Sequence, residues 1–516
     1  MNKNSRIKNS SLNFITNTII QAVSILTAFI LRRVFIKTLG IEFLGISGLF
    51  NNILAVLSLA EMGVGTAMSY SMYKEIANSN TEKLTELNNY YKTIYNRIAI
   101  IILVFGLCLL PFLKYIVNLD REVPHLHIYY ILEIVSTVVS YLFIYKTTIV
   151  NADQSGYKLN MLSIILQIVT CILQITTLLL FKKYMIYLLI GIFITFLGNL
   201  IKSRYAEKLY PFIKDKSKTL PDEEKKSIWK NIKAMFAYKI GGVLLNHTDN
   251  ILISIIVNTT MVGIYSNYLM IYNKANAIIN ILFSAIIAST GNFNVLANSE
   301  EKYKMYKIID FMSYISYSFF AIGVFFCGDD LIRAVTGSAT LLLSKSVLIV
   351  TIVYFYLNML KRSIAIFRET TGLFKYGKYS MVISAILNII FSIILGNMFG
   401  IFGVLLATII ARCLSDIWYE PFVLFKKIFS KGSSEYFLEQ IWRALVVIGI
   451  ILLIIPICRL NTIEHLYIRM GINAIICVSL TSLVFFLLFR KSKEFLYLKE
   501  KAFDIVGKKI NFKKSN

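Results

Sequence analysis

The stretch Ile164-Ile165-Leu166-Gln167-Ile168-Val169-Thr170-Cys171-Ile172-Leu173-Gln174-Ile175-Thr176-Thr177-Leu178-Leu179-Leu180-Phe181 holds no charged residue and is closed by Lys182-Lys183. At ~1.5 Å of rise per residue, such a run approaches the ~30 Å thickness of a bilayer's hydrocarbon core. Inside that core every backbone N–H and C=O needs a partner from the chain itself, a demand that a helix meets residue by residue. Comparable runs, Leu445 to Cys458 among them, recur along all 516 residues. Hydrophobic residues make up 57% and charged residues 16%, with six prolines, and the mean hydropathy is +0.66. Ordinary globular chains are about one quarter charged, so an array of soluble domains is excluded.

The first apolar run, Leu12 to Leu31, follows Lys3, Arg6 and Lys8 as that of a signal peptide would. It is too long for such a segment, lacks a small-residue cleavage site and ends in Arg32-Arg33, which predicts a retained first helix. The formal charge of +25 raises nucleic acid as a partner. Position excludes it, because the basic residues sit in short stretches between apolar runs. The six cysteines are scattered through apolar segments with no C-x-x-C pair, so neither a disulfide framework nor a zinc site is expected.

The pattern predicts an all-α integral membrane protein of about 14 transmembrane helices, over 12–31, 45–70, 98–117, 126–145, 159–181, 184–201, 234–257, 261–297, 308–327, 343–360, 379–396, 400–425, 444–458 and 466–489. The 261–297 segment exceeds a straight crossing and is expected to bend or to extend past the bilayer. An even number of crossings puts both termini on one side. Lys and Arg fall on that side roughly four times as often as on the other, which predicts cytoplasmic termini and a basic tail against anionic headgroups.

A polar stretch from Glu207 to Lys233, with Pro211, Pro221 and Asp222-Glu223-Glu224, divides the chain. Two local matches support a duplication about it. Phe43-Leu44-Gly45-Ile46-Ser47 resembles Met261-Val262-Gly263-Ile264-Tyr265-Ser266 at an offset of 218, and Asp153-Gln154-Ser155-Gly156 resembles Glu369-Thr370-Thr371-Gly372 at an offset of 216. The expected organisation is an N-terminal six-helix lobe (1–206), a cytoplasmic linker (207–233), a C-terminal six-helix lobe (234–430), and two extra helices with a basic cytoplasmic tail (431–516). Six helices per lobe make the repeat parallel, with a pseudo-two-fold along the membrane normal and substrate sites between the lobes.

Several passages resemble the polysaccharide-transporter, or Wzx-type, branch of the multidrug/oligosaccharidyl-lipid/polysaccharide exporter superfamily. They are Leu59-Ala60-Glu61-Met62-Gly63-Val64-Gly65 with Tyr70 and Tyr73, His247-Thr248-Asp249-Asn250-Ile251-Leu252-Ile253, Val262-Gly263-Ile264-Tyr265-Ser266-Asn267-Tyr268, Arg368-Glu369-Thr370-Thr371-Gly372-Leu373-Phe374, Asn388 to Leu395 with Phe399-Gly400-Ile401-Phe402-Gly403-Val404, and Trp418-Tyr419-Glu420-Pro421. Their order and spacing, from about residue 8 to 490, carry the resemblance. Asp329, Asp330 and Arg333 depart from it, standing where the family shows an apolar stretch in an external loop. The resemblance implies a flippase of a bacterial cell membrane that moves undecaprenyl-diphosphate-linked oligosaccharide repeat units to the outer leaflet by alternating access, for capsule or other surface polysaccharide. The implied partners are that lipid-linked substrate, membrane lipid, and the polysaccharide polymerase and glycosyltransferases of the same pathway.

A diphosphate cannot cross hydrocarbon unaided, so the implied cargo calls for a wet, cationic cavity, and charges within spans are its first candidates. For the diphosphate these are Lys239, Lys274, Arg412, Arg32 and Arg33. Lys239, Gly242, Asn246, Asp249 and Asn250 share about 100° of one helix face, which either lines the cavity or lets Lys239 snorkel while Asp249 bonds a neighbour. Tyr265, Tyr268, Tyr272 and Asn276 share another face, suited to sugar contacts or to plain packing, and Lys274 points away from it. Arg412 lies one turn from Asp416 and is a ligand or half of a cross-link, while Arg32 and Arg33 end the first span as guides or interfacial anchors. Glu61 and Asp249 are the candidates for ion coupling, and Glu133 is a weaker one.

Gly372-Leu373-Phe374-Lys375-Tyr376-Gly377-Lys378 has the spacing of a phosphate-binding loop, but Tyr379 follows where Ser or Thr is needed, so nucleotide binding is rejected. No catalytic motif, cofactor or metal is expected. Two rivals remain: a drug or cation antiporter of the same superfamily, which would need carboxylates in its cavity, and a membrane polymerase or ligase, which would need a larger external loop.

Overall fold

The computed structural model describes residues 3–61, 64–119, 122–371 and 374–501. Gly63 and the tail from Ala502, both used in the sequence reading, lie outside the described residues. The helices are α1 (Lys3–Leu39), α2 (Ile41–Leu57), α3 (Val64–Ala77), α4 (Thr81–Cys108), α5 (Leu126–Tyr141), α6 (Gly156–Phe181), α7 (Tyr184–Leu209), α8 (Asp222–Ile256) and α9 (Thr259–Leu296). They continue as α10 (Ser299–Thr336), α11 (Lys345–Thr371), α12 (Phe374–Phe399), α13 (Ile401–Leu414), α14 (Asp416–Leu424), α15 (Ser434–Arg459) and α16 (Leu466–Phe489). No strand occurs among the described residues. The chain is an all-α, multi-pass membrane protein.

Eleven helical segments among the described residues are long and apolar enough to cross a membrane. The other three expected crossings are not among these eleven. The 45–70 segment is α2 and α3 separated by a 3₁₀ turn at Ser58–Glu61, rather than one helix. Expected spans 234–257 and 261–297 are parts of α8 (35 residues) and α9 (38 residues).

Two compact units divide the chain. One comprises 1–281, 335–337 and 381–408, and the other 282–334, 338–380 and 409–516. In the first unit the run from Ile164 to Phe181 forms most of α6, which packs along α1. Two apolar helices gain no hydrophobic drive from meeting inside lipid, so polar groups join them. Gln167 donates to the Thr27 hydroxyl at 3.1 Å, and Asn160 donates to Thr16 at 3.0 Å and Asn17 at 2.9 Å. Left-handed residues end the flanking helices: Lys182 stops α6 at φ 51°, and Gly40 turns α1 into α2 at φ 95°.

The segment expected as a linker is a strap pinned to α4. Phe212 and Asp215 accept hydrogen bonds through their carbonyls from Thr85 and Asn89, and Ile213, Leu220 and Ile228 are buried with Leu84, Leu87 and Tyr91. Apolar residues spaced through the polar stretch make it part of the core.

The duplicated motifs meet each other. A Cβ at Gly45 would lie 2.1 Å from the Thr259 carbonyl oxygen, and one at Gly263 would lie 2.5 Å from that of Ile41. Thr259 follows Ile41 by the same 218 residues that separate Gly263 from Gly45. A reciprocal contact between equivalent positions is the signature of a two-fold relation, here local to the starts of α2 and α9.

In the second unit α10 is the anchor. Asp310 is buried, accepts from Arg443 at 2.5 Å and Gln440 at 2.9 Å on α15, and accepts from Ser363 at 2.6 Å on α11. Farther along α10, Asp330 takes Arg469 of α16 in a two-pronged pair at 2.6 and 3.0 Å. The stretch expected as an external loop from 328 is therefore helical to Thr336, and its Asp330 ties down the C-terminal pair of helices.

Gly45→Ala is expected to cost about 1–3 kcal/mol through overpacking. It should lower the thermal unfolding midpoint in detergent, whereas Gly48→Ala, whose nearest neighbour would be 3.7 Å away, should not. Arg443→Met strands the buried Asp310 carboxylate and should destabilise by about 3–5 kcal/mol, a loss that Asp310→Asn in the same chain partly reverses.

Candidate functional site

α2 presents Ser47, Gly48, Asn51 and Asn52 on one face, one turn beyond the Gly45 contact. α9 presents Ser266, Asn273 and Lys274, α1 presents Arg32, and α8 presents Asn250. Together with Tyr187 and apolar residues including Leu31, Phe35 and Leu269 they line a cavity of about 480 Å³, a size common for small-molecule sites.

Its charged lining residues are Arg32 and Lys274, with no carboxylate. Arg32 donates to the Ser266 hydroxyl at 3.0 Å, and Lys274 donates to the Ser24 hydroxyl at 2.5 Å. Among the described residues neither has an ion-pair partner. Asn250 is 5% exposed, and its Oδ1 makes no hydrogen bond. Two cations held only by hydroxyls, beside an unsatisfied amide, form a recess suited to a polar anion. A buried polar atom without a partner costs ~1–3 kcal/mol, which a ligand's hydroxyl would recover.

Three of the candidates from sequence, Arg32, Lys274 and Asn250, thus come together. The others lie elsewhere. Arg33, next to Arg32 and so on another face of α1, is exposed. Lys239 is half-buried near the middle of α8, and Asn246 on the same helix is exposed; neither lines this cavity. The face of α9 toward the cavity is Ser266, Leu269, Met270, Asn273 and Lys274, and not the expected stripe. Tyr265 and Tyr268 are buried, and Tyr272 and Asn276 are half-buried, outside the lining.

Asp249 accepts from Thr408 at 2.8 Å and from Asn388 at 3.2 Å, with Asn388 also donating to Thr408 at 2.8 Å. It joins α8 to α12 and α13. Glu61 accepts from the Tyr141 hydroxyl at 2.6 Å, and the buried Glu133 accepts from Tyr184 at 3.1 Å. In the second unit Arg412 donates to Asn358 and to Tyr354, each at 3.2 Å, and lies over the Tyr354 ring at 4.8 Å. Asp416, one of the two alternatives read for Arg412, forms an ion pair with Lys361. Arg368 and Glu420 form a further buried pair there.

Asn273, Ser47, Asn51, Asn52 and Ser266 escaped the sequence reading. Their signal was available: polar residues at spacings of one, four and five on an apolar helix, with Lys274 read as pointing away from the tyrosines.

No family model matches the chain, and no curated protein matches it. Solved structures do. A multidrug resistance MATE family transporter of the MOP superfamily, in an inward-facing conformation, is similar at a TM-score of 0.61 and 14% identity, covering 78% of this chain and 97% of that one. Lipid II flippase MurJ, inward closed, is similar at 0.61 and 16%, covering 92% and 99%. A MOP superfamily transporter from Pyrococcus furiosus is similar at 0.52 and 12%, covering 80% and 94%.

If the recess is wet, a cysteine placed at exposed Asn273 should react with a water-soluble thiol reagent in a chain cleared of native cysteines. A cysteine at Tyr268 should stay protected, and a mass shift after labelling reports both. The chain shares the fold of the MOP superfamily of transporters.

Proposed function

We propose that this protein is a flippase that moves a lipid-linked oligosaccharide diphosphate across the bacterial plasma membrane, delivering repeat units for capsule or another surface polysaccharide. The observation that carries the reading is Arg32 and Lys274 lining one cavity without a carboxylate. A drug or cation exporter needs the opposite polarity, because two fixed cations would raise the cost of bringing a third. A diphosphate gains from both.

Arg32 and Lys274 bind the diphosphate by charge-assisted hydrogen bonds, displacing the weaker bonds to Ser266 and Ser24. Asn250, Asn273, Asn51 and Asn52 offer amides to the first sugars, and the polyprenyl tail stays in lipid. The two six-helix lobes rock about this site, exposing it first to the cytoplasm, where both termini lie, and then to the outside. Two negative charges leaving an inside-negative cell gain roughly 4–5 kcal/mol per 100 mV, enough to bias the cycle. Glu61 and Asp249 are held by neutral donors in the bonds described, and either is a place for an ion to couple.

Each charge-assisted bond is worth about 1.5–3 kcal/mol, so Lys274→Ala and Arg32→Ala should each slow transport about tenfold or more. The assay is flipping of undecaprenyl-diphosphate oligosaccharide in vesicles, with Arg33→Ala as the exposed control. Wild-type rates in both cavity variants would discard the reading. Transport of a cationic drug by the unaltered chain, retained or raised in the same variants, would favour the exporter instead.

A further inference from the structure

A second basic recess, sharing no lining residue with the cavity above, lies where α4, the strap from 216 to 222 and the first turns of α8 meet. It encloses about 810 Å³. Lys92, Arg97, Lys216, Lys218, Lys225 and Lys226 line it against a single carboxylate, Asp222. Asp222 is paired with Lys225 at 2.8 Å, and Lys218 is paired with Glu82 at 2.6 Å. That second pair holds the Lys218 ammonium above its ordinary value, so it stays charged. Lys92, Arg97, Lys216 and Lys226 have no ion pair among the described residues. In the wall between them the Tyr90 hydroxyl is buried beside the Trp229 indole N–H, which leaves its own proton to donate.

The recess straddles a boundary written in α4. That helix is polar through Arg97 and apolar from Ile98 to Cys108. The recess ends on Ile100, which is 60% exposed, and the exposed residues Ile101, Val104 and Phe105 continue the strip along the apolar half. Trp229, also exposed, closes the other side, in the role that tryptophan takes at membrane interfaces. A soluble anion would satisfy the cations and ignore the strip, and a neutral lipid would do the reverse.

We propose that this recess binds the headgroup of an anionic phospholipid, whose acyl chains lie along Ile100, Ile101, Val104 and Phe105. The phosphate sits among Lys92, Arg97, Lys216 and Lys226, and the Tyr90 hydroxyl donates to it. Because the strap forms one wall, bound lipid bridges α4 to the start of α8 and stiffens the connection between α7 and α8.

The test uses the full chain in neutral detergent, with phosphatidylglycerol titrated against phosphatidylcholine and inorganic phosphate, read by lipid retention in native mass spectrometry and by the unfolding midpoint. Phosphatidylglycerol should be retained and should raise the midpoint, while the other two do neither. Each basic residue near a charged headgroup contributes about 1 kcal/mol, so the combined Lys92→Ala, Arg97→Ala, Lys216→Ala and Lys226→Ala variant should bind phosphatidylglycerol at least about tenfold more weakly. Where that chain does not fold, Arg97→Ala with Lys226→Ala, both exposed, replaces it. Equal retention of the two lipids, stabilisation by inorganic phosphate alone, or wild-type affinity in a folded variant would overturn the proposal.

Discussion

A charge at membrane depth must be paired, stacked or wet, because hydrocarbon offers it no partner. That constraint sorts the charges of this chain by what surrounds them. In one unit Asp310 with Arg443, Asp416 with Lys361 and Glu420 with Arg368 are buried pairs between helices. Arg412 is stacked on Tyr354 and bonded to Asn358. Such pairs hold helices together and leave little for a ligand. In the other unit Arg32 and Lys274 meet only hydroxyls and open space. The difference between clamp and site is the presence of a counter-charge.

The duplicated glycines make that space possible. Gly45 and Gly263 let the backbones of α2 and α9 touch, which a Cβ on either would forbid. One turn further, at Gly48 and Ser266, the same two helices border the cavity. Tight contact at one level sets the gap at the next, because two straight rods that touch at an angle diverge on either side of the crossing. Ser266 then serves both roles, bordering the opening and receiving the Arg32 guanidinium.

The polar stripe of α8 was legible in the sequence. α8 carries Asn246, Asp249 and Asn250 within its apolar half, and a helix with polar groups at depth must face protein or water. Choosing among faces failed. α9 carries two polar stripes, and packing against protein hides the more conspicuous one, Tyr265 and Tyr268, in the interior. Residue spacing tells which side chains share a face. It does not tell which neighbour that face meets.

Arg32 shows the same limit from another side. The apolar run ends at Leu31, so the arginine looked like an interfacial anchor, but α1 continues to Leu39 and carries Arg32 inside the helix, toward α9. What the sequence by itself determined was everything that follows from local chemistry: recurrent apolar runs force helices that cross a bilayer, and an offset of 218 pairs two glycine motifs that touch. What only the tertiary structure decided was which cation is left without a counter-charge. Pairing is a contact between residues as distant as Asp310 and Arg443, so it depends on how separate helices are brought together and not on their order along the chain.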